Sequence, residues 1–417
     1  MKRTIVRLLP LLALLGCAEN APETDTKTHP VPASSNMSPA DQEALYLKRF
    51  DALQDRTGGA GLSGYDPLKL VDGAPTILPL NTRTAGERVI DAATLEQAKT
   101  YAEANNSSAF IVWLDGQIEA EAYFGETAQD SLIVAKSLAK PLSVIAIGRA
   151  IEQGHIQSLD QKASDFFHEW RGTPKDAITL RHLLGMRSGL LPQGPAPTAD
   201  HILNKAYLHP SHDQIIINEY PLINEPGERY DYSNANSELI APLIERATGI
   251  AYEDWLTQEI FSPLGAAGGS VWMNRTDGTP HSGCCILLPA HTYLRLAILL
   301  LQDGIWEDQQ LLPQGFVSQV KTPSTQNPHV GLGVYVGTPY IERRGAAHPD
   351  VAFGKTLHSE PYAADDLFLF DGNSNQVVYI VPSKRLIILR TGDRPPQLPE
   401  WDNAVLPNMI LRDLANK

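Results

Sequence analysis

The stretch VAKSLAKPLS, residues 134 to 143, places the Ser137 hydroxyl and the Lys140 amine three positions apart, directly ahead of an apolar run. On a helix such positions share a face, so the amine would lie one turn from the hydroxyl. A serine alcohol attacks a carbonyl only if a base takes its proton. A lysine can serve when burial or a neighbouring cation keeps it neutral. The start of a helix adds oriented N–H groups that favour developing negative charge, and Pro141 fits an early helical turn better than an interior one. The spacing alone is a weak signal: Ser318 and Lys321 repeat it. A capping serine beside a solvated lysine would explain either pair equally well.

The segment PGERYDYSNANSELIAPLIERATG separates the two pairs. Tyr232-Ser233-Asn234 lies 95 positions beyond Ser137, just before an apolar helix, and is the only Tyr-x-Asn in the chain. A phenol next to a lysine can act as general acid or base, and an asparagine amide can hold both a substrate carbonyl and the lysine. Nothing of this kind follows Ser318.

Taken together, these residues resemble the serine β-lactamase and penicillin-binding superfamily, in particular its class C-like esterases and the 6-aminohexanoate-dimer hydrolases. The likeness runs from about residue 105 to about 395, and includes ITLRHLLGMRSGL and GCCILLPAHTYLRLAILLLQDGIW. The resemblance implies that Ser137 is the nucleophile, Lys140 its activating partner, Tyr232 the proton shuttle to the leaving group and Asn234 the anchor of substrate and lysine. The family's third motif, Lys- or His-x-Gly, falls on Phe370-Asp371-Gly372. There Gly372 would allow close backbone approach, and the N–H of Asn373 would join that of Ser137 as an oxyanion hole. Phe370 replaces the cation that receives the substrate carboxylate in β-lactam-processing relatives, and Asp371 would repel one. Neutral substrates with an apolar group against Phe370 are therefore expected, unless a cation such as Arg390 fills the gap.

The elements around these residues are legible as patterns. SSAFIVWLDGQIEAEAYFG reads as two strands joined at Asp115-Gly116, a strong hairpin signal. From Ser137 the chain reads as helical for some two hundred residues, with C-caps at Gly154 and Gly249. Strand character returns in DLFLFDG, QVVYIVP and RLIILRTG, and WDNAVLPNMILRDLA closes the chain as a helix. The expected fold class is α+β and β-lactamase/transpeptidase-like. An antiparallel sheet built from both chain ends is flanked by helices and carries an inserted, mainly helical lobe. The α/β lobe spans about 41–136 and 355–417, and the helical lobe about 140–350.

MKRTIVRLLPLLALLGC has a basic start and a short apolar run, which marks a secretory signal over residues 1–16 and is too short to span a bilayer. Leu14-Leu15-Gly16-Cys17 resembles a bacterial lipobox, which implies an acylated Cys17, a flexible tether through residue 40, and delivery to the outer membrane facing the periplasm. Residues 18 to 40 are polar and proline-rich, as a tether requires. Cys284 and Cys285 allow no disulfide beyond a vicinal bridge and read as small buried hydrophobes. Formal net charge is −14, and no basic run could follow a phosphate backbone, which weighs against nucleic acid. Neither Cys-x-x-Cys nor His-Glu-x-x-His occurs, so no metal is expected, and no cofactor is implied.

GLGVYVG reads as a glycine-rich strand, His182 as a structural helix residue, and His358 and Glu360 as loop residues. The expected function is a serine hydrolase working through an acyl-enzyme on a small ester or amide. The alternatives are a β-lactamase or D-alanyl-D-alanine carboxypeptidase-like enzyme and, in another class, a non-catalytic cell-wall-binding lipoprotein.

Overall fold

The computed structural model describes residues 37–54, 65–351 and 354–417. The expected signal peptide, Cys17 and nearly all of the tether lie outside them. The first helix, α1 (Pro39–Gln54), begins just inside the segment expected to be tether. No helix among the described residues is long and apolar enough to cross a membrane.

A six-stranded antiparallel sheet organises the fold. Its strands are β1 (Ser107–Leu114), β2 (Gln117–Tyr123), β3 (Tyr335–Val336), β4 (Phe368–Gly372), β5 (Gln376–Val381) and β6 (Leu386–Gly392), in spatial order β2-β1-β6-β5-β4-β3. The β1–β2 hairpin turns on Asp115 and Gly116 at φ 46° and 92°, the two left-handed residues of a type I′ turn. Strands from the first third of the chain pair with strands from its last fifth through β1 and β6.

Side chains alternate across the sheet. Ile111, Trp113, Phe368, Phe370, Val378 and Leu389 join a core that includes helices α3 (Ala139–Glu152) and α7 (Ala290–Leu301). Phe110, Val112, Leu369, Val377, Tyr379 and Ile388 face a second core with α2 (Ala92–Ala104) and α9 (Val405–Ala415). Because both faces are covered, these strands read in the sequence as unbroken apolar runs rather than as alternating patterns.

The segment between β2 and β3 is not helical throughout. Leu68–Val71, Gly269–Trp272, Ile286–Leu288 and Ile133–Val134 form a second, four-stranded sheet. Within GCCILLPAHTYLRLA the helix α7 begins only after Pro289, and the apolar run before it is a strand. Four to five apolar residues fit a buried strand or a helical turn equally well, and the pairing partner decides. This sheet matters for the site, since Ile133–Val134 leads straight into the turn that carries Ser137.

The tyrosine segment is broken as well, into α5 (Asn234–Glu238) and α6 (Ile240–Thr248). Pro242 lacks the N–H that would bond to the Glu238 carbonyl, so one continuous helix loses a rung there. The shorter elements α4 (Leu180–Leu184) and α8 (Phe316–Lys321) complete the frame around the site.

Candidate active site

Ser137 sits in a 3-10 turn over Lys136–Leu138, between the strand end at Val134 and the first residue of α3. Lys136 holds φ at 52°, a left-handed value that L-residues seldom adopt, and the half-buried Ser137 follows immediately. Its Oγ lies 2.8 Å from the hydroxyl of Tyr232. Lys140 is only 5% exposed, and its Nζ donates to Ser137 Oγ at 3.1 Å, Asn234 Oδ1 at 3.1 Å and the Gly283 carbonyl at 2.9 Å. Nζ also stands 5.0 Å over the Tyr232 ring. The fold thus brings Ser137, Lys140, Tyr232 and Asn234 into one cluster.

Three acceptors around one amine have a chemical consequence. An ammonium has three N–H groups and satisfies all three acceptors; a neutral amine has two, which can stay on Asn234 and Gly283 while its lone pair faces the serine hydroxyl. Both protonation states therefore fit the same heavy-atom positions. Without such partners a buried ammonium would cost several kcal/mol.

Gly283 was not singled out by the sequence patterns. Its contribution is a carbonyl, which any residue has, but a Cβ there would come within 2.8 Å of the Ser237 side chain and 2.9 Å of Glu238 Oε1. A glycine directly ahead of the cysteine pair was the only available signal. Cys284 and Cys285, read from the sequence as small buried hydrophobes that allow only a vicinal bridge, are joined by that bridge. Tyr207 reaches both sulfurs, and Cys285 takes φ 63°.

At the third motif, Gly372 lies against the Ser137 turn: a Cβ would meet the Ala135 carbonyl oxygen and the Leu138 nitrogen at 3.2 Å each. Its φ of −129° is ordinary extended backbone, so what favours glycine here is the tight fit against the turn rather than conformation. Asn373 is exposed at the start of the following turn, where its Oδ1 accepts from the Ser374 N–H.

Two expectations for this strand are overturned. Phe370 is fully buried in the core with Leu138 and Leu142, because strand alternation turns it away from solvent, so it cannot form a substrate wall. Asp371 points the other way and is bound at 2.6 Å by Arg344, itself 5% exposed and stacked 4.3 Å over Tyr335. The neighbouring guanidinium neutralises Asp371, so it is not a bare repelling charge. Arg390 does not replace the missing lysine either: it is fully buried and donates to Ser107 Oγ and to the carbonyls of Asn105, Ser374, Asn375 and Asp393. Its task is to hold the turn that follows Gly372.

The remaining residues fall outside the cluster. Ser318 is exposed on α8 and Lys321 lies over the Phe368 ring, 5.5 Å from its centre. His182 closes a reciprocal cap with Thr179 at the start of α4, as a structural helix residue would. Glu360 pairs with Arg412 at the surface. His358 is not a loop residue in solvent: it is 4% exposed, with Nδ1 donating to the Thr356 carbonyl at 3.1 Å and Nε2 facing the Asn403 amide at 3.2 Å.

With this geometry in view, the comparisons with known proteins are consistent with one another. Residues 93–277 match the family model described as Beta-lactamase. The chain is 31% identical over 147 residues to penicillin-binding protein 4* of Bacillus subtilis strain 168, covering 35% of this chain and 32% of that protein. It is 21% identical over 234 residues to the 6-aminohexanoate-dimer hydrolase of Paenarthrobacter ureafaciens, covering 51% and 57%. It therefore spans between a third and three-fifths of the length of these curated relatives.

Among solved structures, a Bacillus anthracis protein provisionally named a 6-aminohexanoate-dimer hydrolase superposes with a TM-score of 0.65 at 19% identity, over 85% of this chain and 92% of that one. A mutant class C β-lactamase gives 0.55 at 16% identity, over 76% and 95%. The architecture is that of the β-lactamase/transpeptidase-like fold. The likeness to the β-lactamase family thus covers residues 93–277 in sequence and most of the chain in fold.

The buried imidazole beside the third-motif strand gives a prediction. Burial, reinforced by the nearby Arg344 charge, pushes His358 from 6.5 down to about 3. The folded chain leaves it neutral while the unfolded chain takes up a proton, so its stabilising contribution is complete above pH 6.5 and is lost as pH falls toward 3, by up to about 1.4 kcal/mol per pH unit. Urea unfolding between pH 7 and 4.5 should therefore fall more steeply for wild type than for His358→Gln. Parallel slopes would show that His358 titrates in the folded protein.

Proposed function

We propose that this protein is a serine hydrolase that forms an acyl-enzyme on Ser137 from small neutral esters or amides. The observation that carries the reading is the buried Lys140 amine, held by three acceptors with Ser137 Oγ among them, while Tyr232 touches the same Oγ from a second direction. A serine in a structural cap has no use for a desolvated lysine and a phenol at once.

The chemistry proceeds in two halves. Ser137 Oγ attacks the substrate carbonyl as its proton passes to the Lys140–Tyr232 pair. The carbonyl oxygen becomes an oxyanion, received by the N–H groups of Ser137 and Asn373 across the narrow gap kept open by Gly372. Tyr232 then gives a proton to the departing alkoxide or amine, so the C–O or C–N bond breaks with a neutral leaving group. A water repeats the sequence in reverse on the ester of Ser137, restoring the hydroxyl and releasing the acid. Asn234 keeps Lys140 aligned through its Oδ1, and its amide N–H, which rests on Gln193 Oε1, is the donor that a substrate amide or ester carbonyl would take up.

Substrate charge follows from the third motif. Phe370 faces the core, Asp371 occupies Arg344, and Arg390 is spent on backbone carbonyls, so that strand offers no free cation for a carboxylate. A charge-assisted hydrogen bond is worth roughly 1.5 to 3 kcal/mol, and its loss disfavours anionic β-lactams and free D-alanyl termini.

The lipobox-like Leu14-Leu15-Gly16-Cys17 supports a second, separate proposal: the mature chain is anchored through acylated Cys17 in the bacterial envelope. Wild type should fractionate with membranes and Cys17→Ser should not; wild type found soluble would end the anchor.

Ser137→Ala should abolish turnover and labelling by a fluorophosphonate probe, and Lys140→Ala should remove nearly all activity, while Ser318→Ala should change nothing. Retention of more than about a tenth of the rate by Lys140→Ala would amount to a loss of only about 1.4 kcal/mol, and would remove Lys140 from the activating role. Well-folded wild type that takes no label would favour a binding protein over an enzyme.

A short-chain p-nitrophenyl ester should exceed a chromogenic cephalosporin in kcat/KM by at least about tenfold. Efficient cephalosporin hydrolysis would mean that a cation from another element receives the carboxylate.

A further inference from the structure

Behind the lysine lies a group of side chains that the mechanism does not use. His212 opens the helix His212–Asn218, Glu238 ends α5, and His281 stands in the loop after strand Gly269–Trp272. Their exposures are 0%, 1% and 1%. Glu238 Oε2 lies 3.3 Å from His281 Nδ1 and 3.7 Å from His212 Nε2, and one ligand atom from each residue lies within 4.8 Å of the others.

None of the six side-chain nitrogens and oxygens of these three residues has a hydrogen-bond partner. The N–H groups of Ser282 and Gly283 are the backbone donors turned toward the Glu238 carboxylate. Elsewhere among the described residues such atoms occur one to a residue, as at Arg149, Glu253 and Trp306, whereas here they gather in one group. Next to them, Asp213 accepts from the Asn274 amide at 3.1 Å, and Arg49 donates to the carbonyls of Leu208, Asn274 and Asp66. A buried polar atom left without a partner costs about 1 to 3 kcal/mol, so six within one cluster imply a partner that is not a protein group.

We propose that His212, Glu238 and His281 form a buried structural site for a zinc-like divalent transition ion. Two imidazoles and one carboxylate are the donor set that Zn2+ prefers over Mg2+ or Ca2+. Ligand bonds of about 2.0 to 2.1 Å in a tetrahedron put neighbouring ligand atoms about 3.3 to 3.4 Å apart, close to the observed Glu238 distances. Trp272 stacks on His281 at 4.0 Å and fixes that ring. His212 stacks on its other face at 4.2 Å, so His212 is the ring that must turn for its nitrogen to meet the ion. Glu238 and the adjacent Asp213 supply two negative charges against the dication.

The role is bracing, since no ligand reaches solvent or substrate. Glu238 shares α5 with Asn234, and its Oε1 packs on Gly283; those two residues hold Lys140. An ion tying α5 to the 281–283 loop would fix both lysine acceptors relative to each other.

The test uses the full chain, purified without an affinity tag and dialysed against metal-free buffer. Elemental analysis should find about one equivalent of zinc per chain. Replacement by Co2+ should give the visible absorption of a tetrahedral nitrogen–oxygen site, and stripping with a chelator should lower Tm. The isosteric Glu238→Gln, combined with His281→Gln and checked for folding by circular dichroism, should bring binding down to roughly a tenth of an equivalent or less. Protein that takes up neither Zn2+ nor Co2+ and whose Tm ignores the chelator would overturn the site. So would undiminished binding by the folded double variant.

Discussion

The structure depends most on keeping one amine dry and fully partnered. Lys140 sits on the first turn of a helix that stays buried as far as Ala150, so its only outlets are the three acceptors around it. Those acceptors come from three separate stretches of chain: the Ser137 turn, the start of α5, and the loop ending at Gly283. Displacing any one of them leaves an N–H or a lone pair unmatched in a low-dielectric interior, where the penalty is largest. The site is therefore a point where distant segments must agree, which is why so much of the surrounding architecture reads as support.

That support has two layers. The small sheet delivers Ile133–Val134 and Ile286–Leu288 side by side, which fixes both the entry to the Ser137 turn and the exit from the Gly283 loop. The large sheet brings β4 up against the same turn, close enough that a side chain at Gly372 would have to push the turn back by a few tenths of an ångström. Arg390 then pins the turn after β4 from behind, through the Ser374 and Asn375 carbonyls, and ties it to the Asn105 carbonyl at the end of α2. A helix on its own would place Lys140 one turn from Ser137, but it could not supply the opposing wall.

Much of this was legible in the sequence, for reasons that are local. Asp115-Gly116 forces a hairpin, Gly154 and Gly249 end helices, and Ser-x-x-Lys with a distant Tyr-x-Asn names the polar cluster because each motif carries its own backbone context. What was not legible depends on partners. CILLP reads as the start of a helix until Ile133–Val134 is known to pair with it. Phe370 reads as a substrate contact until strand alternation, set by β5 and β3 on either side, turns it into the core. Gly283 acts through a carbonyl, and a carbonyl leaves no trace in residue type. The cysteine pair was open on sequence alone, since adjacency permits a bridge without requiring one.

The third-motif strand shows how packing on two faces decides whether a strand can present a charge beside the Ser137 turn. In a lysine-led motif the strand presents a cation toward the substrate. Here the same register gives an aromatic ring to the core and an acid to the opposite face, where burial pushes the Asp371 carboxyl up and the Arg344 guanidinium opposes that rise. The pair is nearly neutral and closed to solvent on the arginine side, so restoring a single lysine at Phe370 would not restore an anion site: the new ammonium would enter a packed apolar core, and Asp371 would still hold Arg344. Carboxylate recognition would need at least two coordinated changes, one to turn a cation outward and one to release the existing ion pair. Neutrality at this strand is thus a property of the packing on both of its faces, not of one residue.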